Sequence, residues 1–414
     1  AGDPMIADQV MQAVSSERLQ RLLETLATFG PGIDGGMNRA ALSEEDFLAR
    51  AWLIEEARKL DCKVWTDASA NLFIRREGRE DLPPVMTGSH IDTQPTGGKL
   101  DGCYGVMAGL ECLYALAELN VSTRHPIEVV VWTNEEGSRF SPGAMGSSAY
   151  VDPVRLETYR NNLDAAGISV GEALDAHALR FADLPQREKI ATHAFVELHI
   201  EQGPVLEQAN VPLGVVSGIQ GVRWYQVRCK GASAHAGTTP THMRRDALLL
   251  AMESLGRIDA LAERLTGDDK RLTFGRWNVS PNAINTIAGE ATFSIDFRHA
   301  DPAVLDTFDN ALSACLPAEA ELTSLFSHSP TAFDHQVINV LENACDATGL
   351  TWQSIRSGAF HDAMYLAGHC PTAMLFVPSR DGISHNPKEF TDPAQLKAGA
   401  QALAWSLVAL AEQP

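Results

Sequence analysis

Four short apolar runs along the chain each end abruptly in polar residues, and a histidine or carboxylate follows each run closely. The runs cover residues 84–87, 127–132, 194–198 and 373–377. Runs of this kind are typical of strands buried on both faces. Amphipathic helical patterns occur at 17–29, 44–60 and 105–119. The pattern predicts an α/β domain with a central mixed sheet flanked by helices, in which ligands bind beyond the C-terminal ends of the strands.

The segment 212–329 shows a different pattern and predicts a second domain. Its elements follow the order β-α-β-β-α-β, which is that of a ferredoxin-like α+β sandwich. They are predicted at residues 221–230, 246–265, 272–279, 291–298, 303–316 and 321–326. We therefore expect one discontinuous domain, formed by 1–211 and 330–414, into which the segment 212–329 is inserted.

Composition and charge narrow the classes of partner. The 414-residue chain has a formal net charge of −20, which disfavours nucleic acids and anionic membranes because both are polyanions. Its seven cysteines include no CxxC pair, and no run of 18 apolar residues occurs. We expect a soluble cytoplasmic protein that binds neither nucleic acid nor membrane. The acidity also fits cation binding, although many enzymes are simply acidic.

The polar residues that follow the apolar runs are typical of metal ligands. Imidazoles and carboxylates occur there without a thiolate, and this donor set suits Zn²⁺ or Mn²⁺. Five such donors exceed what one catalytic zinc uses, but they suit two metals if one carboxylate bridges them. Asp101, in a glycine-rich turn, is the candidate bridge. The candidate ligands are His90, Asp101, Glu136, His199 and His385.

Two further carboxylates have candidate roles. If residues 90–92 are extended, Asp92 shares a face with His90 and can accept its second ring N–H, whereas an Asx turn is the alternative. Adjacent carboxylates repel, so a buried Glu135-Glu136 pair needs a reason, and a role for Glu135 as general base supplies one. A structural histidine or a solvated glutamate pair is the common alternative at any one position. Metal binding is favoured because such residues follow all four runs.

Seven stretches in this order identify a family resemblance. They are TGSHIDTQPTGGKLDGCYGV, TNEEGSRF, ELHIEQGPVLE, GASAHAGTTP, NAINTIAGEATFSIDFRH, SGAFHDA and GISHNPKE, and they run from residue 87 to 389. The chain resembles the dinuclear-metal aminoacylase/carboxypeptidase superfamily. Within it, the chain is similar to the branch of N-carbamoyl-L-amino-acid amidohydrolases, β-ureidopropionases and allantoate amidohydrolases.

The resemblance implies roles for particular residues. It implies two divalent metals, Zn²⁺ or Mn²⁺, held by the five candidate ligands with Asp101 as the bridge. It implies Glu135 as the base, Asp92 as its supporting carboxylate, and His235 as an oxyanion-stabilising group from the partner subunit. The inserted segment is implied to be a lid and a dimerisation surface of a homodimer. Substrate contacts are implied for Gln202, Asn285, Arg298, Gly358 and His361.

The implied reaction is hydrolysis of a small ureido substrate that carries a carboxylate. An N-carbamoyl-L-amino acid would yield the amino acid, carbon dioxide and ammonia, and Arg298 can bind the α-carboxylate bidentately. Allantoate, ureidoglycolate and β-ureidopropionate hydrolysis remain alternatives, and so does a catalytically dead relative that acts as a scaffold. A peptidase fits less well, because peptidase relatives have a carboxylate where this chain has His199.

Overall fold

A computed structural model describes residues 4–414 of the chain. Its helices are α1 Pro4–Ala13, α2 Ser16–Leu26, α3 Glu44–Lys59, α4 Cys103–Glu118, α5 Met145–Val151, α6 Val154–Tyr159, α7 Val170–Arg180, α8 Val205–Ala209, α9 Ala247–Thr266, α10 Pro302–Cys315, α11 His335–Thr348, α12 Ala363–Leu366 and α13 Pro393–Ala411. Its strands are β1 Lys63–Thr66, β2 Leu72–Arg76, β3 Val85–Ser89, β4 Ile127–Val131, β5 Ala194–Ile200, β6 Leu213–Ile219, β7 Gly221–Lys230, β8 Arg271–Thr273, β9 Trp277–Ser280, β10 Glu290–His299, β11 Ala320–His328, β12 Thr331–Ala332, β13 Trp352–Ser357 and β14 Thr372–Val377.

A mixed sheet forms the centre of the larger of two compact units, which extends to Gly218 and resumes at Phe333. Its strands lie in the order β1-β2-β4-β3-β5-β14-β6, and β13 pairs with β6. The four middle strands, β4, β3, β5 and β14, run parallel, and every residue in them is buried. Helices α4 and α13 pack against these strands. The mixed sheet flanked by helices is confirmed, and its parallel strands present their C-terminal ends at one edge.

The smaller unit, Ile219–Ala332, is an antiparallel sheet with two helices packed on it. Its strand order is β11-β7-β10-β8, and β9 also pairs with β10. Helices α9 and α10 pack on β7 and β10. The strict alternation of β10 explains this packing, because its buried residues point to the core that contains Tyr225 and Phe308.

Three boundaries differ from the sequence-based expectation. The inserted segment was expected to begin at 212, but β6 pairs antiparallel with β14 and so belongs mainly to the larger sheet. The strand expected at 272–279 is two strands, β8 and β9, and the interruption contains Gly275, a residue type that weakens strands. His199 lies inside β5 rather than after it, because that strand continues to Ile200.

Residues 4–414 form thirteen α-helices. None of them has the length and apolar character needed to traverse a bilayer.

Candidate metal centre

The parallel strands bring the sequence-predicted ligands to one edge of the larger sheet. His90 directly follows β3, Glu135 and Glu136 lie in the turn after β4, and His199 is the penultimate residue of β5. His385 lies in the loop that follows β14, in the left-handed region with φ of 54°. Because neighbouring parallel strands end at the same edge, residues far apart in sequence become neighbours there.

The Asp101 carboxylate lies at the centre of this cluster and contacts a different set of residues through each oxygen. Its Oδ1 lies 3.3 Å from His90 Nε2 and 3.1 Å from His199 Nε2. Its Oδ2 lies 3.0 Å from His385 Nε2, which is itself 3.3 Å from Glu136 Oε2. Residues 4–414 contain four groups of potential ligands, and Asp101 is common to two of them, His90–Asp101–His199 and Asp101–Glu136–His385. The other two are His90–Glu135–Glu136 and Glu197–His199–His361.

A glycine allows Asp101 to approach His90 this closely. Gly102 has φ of 72°, and a Cβ atom there would lie 2.4 Å from the His90 ring. Helix α4 begins at the next residue, so the turn ends where the helix starts. Any other residue at position 102 would be strained and would displace the imidazole.

The two buried imidazoles face the carboxylates with the ring nitrogen that a metal would use. His90 Nδ1 lies 2.9 Å from the main-chain oxygen of Asp92, and His199 Nδ1 lies 2.8 Å from that of Ile200. Since a carbonyl oxygen only accepts, both rings donate from Nδ1 and direct Nε2 at Asp101. Within the described chain, the buried atoms His90 Nε2 and Glu136 Oε1 have no hydrogen-bond partner. A ring held by a carbonyl on one nitrogen, with the other pointing at a carboxylate, is the arrangement of a metal-ligating histidine.

The electrostatics of the cluster also favour cations. Burial lowers the pKa of His90, but Glu135, Asp101 and Asp92 raise it, and the net pKa lies well above the usual value for histidine. Burial, strengthened by the charge of Asp101, raises the pKa of Glu136 to about 7. Concentrated negative charge therefore holds protons on this cluster, and divalent cations bound by the same atoms would displace them.

The turn that carries Glu135 and Glu136 is held by Asp92. Its Oδ1 accepts the N–H of Glu135 at 3.2 Å, and its Oδ2 accepts the N–H of Glu136 at 3.0 Å. The sequence suggested that the Asp92 carboxylate accepts the second ring N–H of His90. In the structure, His90 Nδ1 instead donates to the main-chain carbonyl of Asp92, and the Asp92 carboxylate lies 3.6 Å from His90 Nδ1. Glu135 Oε2 is 3.1 Å from His90 Nε2, beside the cluster.

Three further predicted residues also lie in the larger unit. Gln202 Nε2 donates to Asp101 Oδ2 at 3.2 Å and to Ser384 Oγ at 2.9 Å. The buried ring of His361 lies against His199, with the ring centroids 4.5 Å apart. Gly358 directly follows β13 and is exposed.

The other three predicted residues, His235, Asn285 and Arg298, lie in the smaller unit. His235 is exposed, and its Nδ1 accepts the N–H of Gly237 at 2.9 Å. Asn285 is close to this loop, because its carbonyl accepts the N–H of Ala236 at 3.0 Å. Arg298, near the end of β10, forms an ion pair with Asp296 on the same strand, with Nε 2.9 Å from Oδ1.

Two neighbours of the cluster were missed by the sequence reasoning. Gln94 Nε2 donates to Glu136 Oε2 at 2.8 Å, and Glu389 Oε1 accepts the N–H groups of Leu100 and Asp101. Both belong to the stretches that carry the family resemblance. Gln94 is two residues beyond Asp92, so it could have been predicted from the polar residues that follow β3. No local pattern indicated that Glu389 reaches residues 288 positions away.

Several known proteins resemble this chain in sequence and in fold. The sequence profile of peptidase family M20/M25/M40 matches residues 86–408. The N-carbamoyl-L-amino-acid amidohydrolase of Rhizobium meliloti is 34% identical over 419 residues, which cover 99% of each chain. The allantoate amidohydrolase of Escherichia coli (strain K12) is 35% identical over 405 residues, which cover 96% of this chain and 98% of that protein. A crystal structure of an amidase of the hydantoinase/carbamoylase family from Burkholderia multivorans matches with a TM-score of 0.88 and 41% identity, covering 97% of this chain and 99% of that one.

The bonds of Asp92 predict how the glutamate turn responds to a small change. In Asp92→Asn, one oxygen becomes an NH₂ group, which cannot accept the N–H of Glu135 or Glu136. A lost hydrogen bond and an unsatisfied buried N–H cost about 1–3 kcal/mol. We expect hydrogen exchange at these two amides to accelerate about 10-fold or more, measured by mass spectrometry on peptides from residues 133–137.

The matched control is Asp301→Asn, which alters a carboxylate that accepts a single backbone N–H at the start of α10. Exchange in residues 133–137 should not change in that variant. Unchanged exchange there in Asp92→Asn would show that Asp92 does not hold the turn.

Proposed function

The chain belongs to peptidase family M20/M25/M40, and from that premise we propose that it hydrolyses N-carbamoyl-L-amino acids to the amino acid, carbon dioxide and ammonia. It is an amidohydrolase of the carbamoylase and allantoate amidohydrolase type. The observation that supports the proposal most is the Asp101 carboxylate, shared between two potential ligand groups with Glu135 beside them.

Enzymes of this family bind divalent metals, and we propose two such cations in this chain. His90 and His199 with Asp101 would hold one, and Glu136 and His385 with Asp101 would hold the other. Nitrogen and oxygen donors without thiolate suit Zn²⁺ or Mn²⁺. Bound cations would supply Lewis-acid polarisation of a carbonyl and would lower the pKa of a nearby water.

The chain's own residues would carry the proton. Hydrolysis of R–NH–CO–NH₂ consumes one water, and the departing nitrogen must gain a proton. We propose that Glu135 takes a proton from the attacking water and delivers it to that nitrogen, and that Asp92 keeps Glu135 in place through its N–H.

His235 is suited to stabilise the oxyanion that forms during attack. Because its Nδ1 accepts the N–H groups of Gly237 and Thr238, the ring proton of the neutral imidazole lies on Nε2. The ring can therefore donate to an oxyanion without being protonated first. Arg244 steadies this loop by donating to the carbonyls of Ala236 and Thr239.

Recognition of the substrate carboxylate is assigned to Arg298 in this proposal. Its guanidinium is fixed by two contacts to Asp296, at 2.9 and 3.1 Å, and its side chain is partly exposed. Trp224 Nε1 donates to the same carboxylate, which fixes Asp296 in turn. We further propose that Gln202, Asn285, Gly358 and His361 line the substrate position.

Allantoate is the second candidate substrate, since a relative of equal similarity is named an allantoate amidohydrolase. Purified protein loaded with Mn²⁺ or Zn²⁺ should be offered N-carbamoyl-L-amino acids, allantoate, ureidoglycolate, N-carbamoyl-β-alanine and dipeptides while ammonia release is followed. Highest kcat/KM on an N-carbamoyl-L-amino acid supports the proposal. Faster turnover of allantoate would replace it, and no turnover of any compound would favour a scaffold protein.

Removal of the proposed base gives a direct prediction. Glu135→Gln keeps the size and the main-chain bonds of residue 135 but cannot take a proton. We expect kcat to fall at least ~10²-fold, the usual scale for a general base, while metal content measured by elemental analysis stays unchanged. Turnover close to that of the parent enzyme would remove Glu135 from the proposed mechanism.

The arginine assignment predicts a selective defect. Arg298→Ala should raise KM for carboxylate-bearing substrates about 10- to 100-fold, because one charge-assisted bidentate pair is lost. Arg228→Ala is the matched control, since Arg228 lies on the same sheet and pairs bidentately with Glu290 at 3.0 and 2.9 Å. Equal kinetic parameters in the two variants would contradict the assignment.

A homodimer is also part of the proposal. Helix α9 exposes Leu249 and Met252, three residues apart on one face, and the nearby Met243 is exposed as well. Exposed apolar clusters of this kind are typical of interaction surfaces. Such a surface fits a second copy of the chain, whose His235 would serve the neighbouring subunit.

Subunit complementation tests the dimer and the role of His235 together. Co-expressed His235→Ala and Glu135→Gln chains should recover about a quarter of the parent activity, because half of the dimers are mixed and each mixed dimer has one complete site. Each variant alone should be nearly inactive. No recovery on co-expression, or a sedimentation mass of one chain, would contradict the shared site.

A further inference from the structure

Glu389 is buried between the two loops that carry Asp101 and His385. Its Oε1 accepts the N–H groups of Leu100 at 3.0 Å and Asp101 at 2.9 Å, and its Oε2 accepts the hydroxyl of Ser384 at 3.0 Å. Ser384 directly precedes His385. One carboxylate therefore joins two loops whose potential ligands lie far apart in sequence.

The loop that carries Asp101 lies very close to Glu389 at Gly98. A Cβ atom at Gly98 would lie 2.5 Å from both Cβ and Oε1 of Glu389. The glycine pair before Lys99 thus lets the loop backbone lie directly against the carboxylate. Hydrogen bonds from backbone N–H groups to a buried carboxylate are charge-assisted and are stronger than neutral ones.

Gln202 closes these contacts into a ring. Its Nε2 donates to Ser384 Oγ at 2.9 Å and to Asp101 Oδ2 at 3.2 Å. Starting from the N–H of Asp101, the bonds run through Glu389, Ser384 and Gln202 and return to the side chain of Asp101. Asp101 is therefore anchored through both its main chain and its carboxylate.

His385 depends on this ring more than the other potential ligands do. His90 and His199 are buried at the ends of β3 and β5, whereas the His385 side chain is 49% exposed. His385 and Gln202 both have positive φ values, 54° and 66°, which cost energy for residues other than glycine. A loop held in such a conformation needs external bonds, and Glu389 supplies one through Ser384.

We propose that Glu389 is a positioning residue that holds His385 and Asp101 at the spacing needed to bind the cation of the Asp101–Glu136–His385 group. The inference rests on the proposed function, since it presupposes that this group binds a divalent metal. Glu389 lies outside the ligand groups, so it acts through the residues that it positions. The affinity of the His90–Asp101–His199 group should depend on Glu389 less, because Glu389 holds Asp101 in both groups but reaches a second ligand, His385, only in the Asp101–Glu136–His385 group.

Mn²⁺ binding to the full-length metal-free chain, measured by equilibrium dialysis with elemental analysis, tests the proposal. His199→Ala should retain one equivalent of Mn²⁺, bound by Asp101, Glu136 and His385. Adding Glu389→Ala to this variant should raise the Kd of that Mn²⁺ about 10- to 100-fold. His385→Ala should retain one equivalent of Mn²⁺, bound by His90, Asp101 and His199. Adding Glu389→Ala to this variant should raise the Kd of that Mn²⁺ clearly less than it does in the His199→Ala background. Equal losses in the two backgrounds would overturn the proposal.

Two variants separate positioning from charge and from general destabilisation. Glu389→Gln retains an oxygen that accepts the N–H groups of Leu100 and Asp101, and its NH₂ group can donate to Ser384 Oγ in place of the bond that Oε2 accepts. It should therefore keep Mn²⁺ affinity close to that of the parent. A loss as large as that of Glu389→Ala would overturn positioning in favour of charge alone. Asp334→Ala removes the helix-capping acceptor of Val337 N–H in the same unit and should leave Mn²⁺ binding unchanged.

Ser384→Ala provides a second test of the same hydrogen bond. If Glu389→Ala does not fold, Ser384→Ala replaces it in the test, because this variant also removes the hydrogen bond between Ser384 and Glu389. We expect Ser384→Ala to raise the Kd of the Mn²⁺ bound by Asp101, Glu136 and His385 about 10-fold. No change in that variant would overturn the proposal. If the parent chain binds no Mn²⁺, the proposed metal-dependent function fails and this inference fails with it, whereas two equivalents that are insensitive to Glu389 would refute only the inference.

Discussion

The organisation of the site depends on a single carboxylate whose two oxygens face different imidazoles. Asp101 Oδ1 contacts His90 and His199, and Asp101 Oδ2 contacts His385. Buried negative charge is costly unless positive charge or hydrogen bonds offset it. With carboxylates of Glu135 and Glu136 beside Asp101, the cluster must hold protons or cations. The strands, turns and hydrogen bonds around the cluster keep these atoms at a short and fixed spacing.

This spacing depends on the sheet topology, on a glycine turn and on individual hydrogen bonds. The parallel strands β3, β4 and β5 bring the histidines and glutamates to one edge, and Gly102 allows Asp101 to approach the ring of His90. Main-chain carbonyls orient the rings, Asp92 holds the glutamate turn, and Glu389 holds the loop of Asp101. Most of these bonds involve the backbone. A substitution that keeps every potential ligand but shifts this backbone would therefore still weaken metal binding.

The sequence predicted the parts of this arrangement that leave a local signature. The buried strands β3, β4, β5 and β14 were visible as apolar runs, and the residues after them were visible as potential ligands. The central mixed sheet is confirmed. The contacts of Glu389 were not predictable, because no periodic pattern links a residue near the end of the chain to the turn at 98–101. The split of the strand at 272–279 was missed because apolar residues on both sides of Gly275 resemble one continuous strand.

We propose that two cations share Asp101, and anomalous diffraction from crystals of the protein grown with Zn²⁺ tests this most directly. Data collected on both sides of the zinc absorption edge should show two peaks at this edge of the sheet, each bonded to a different oxygen of Asp101. One of them should also be bonded to His90 and His199, and the other to Glu136 and His385. A single peak, or two peaks that do not share Asp101, would contradict the account.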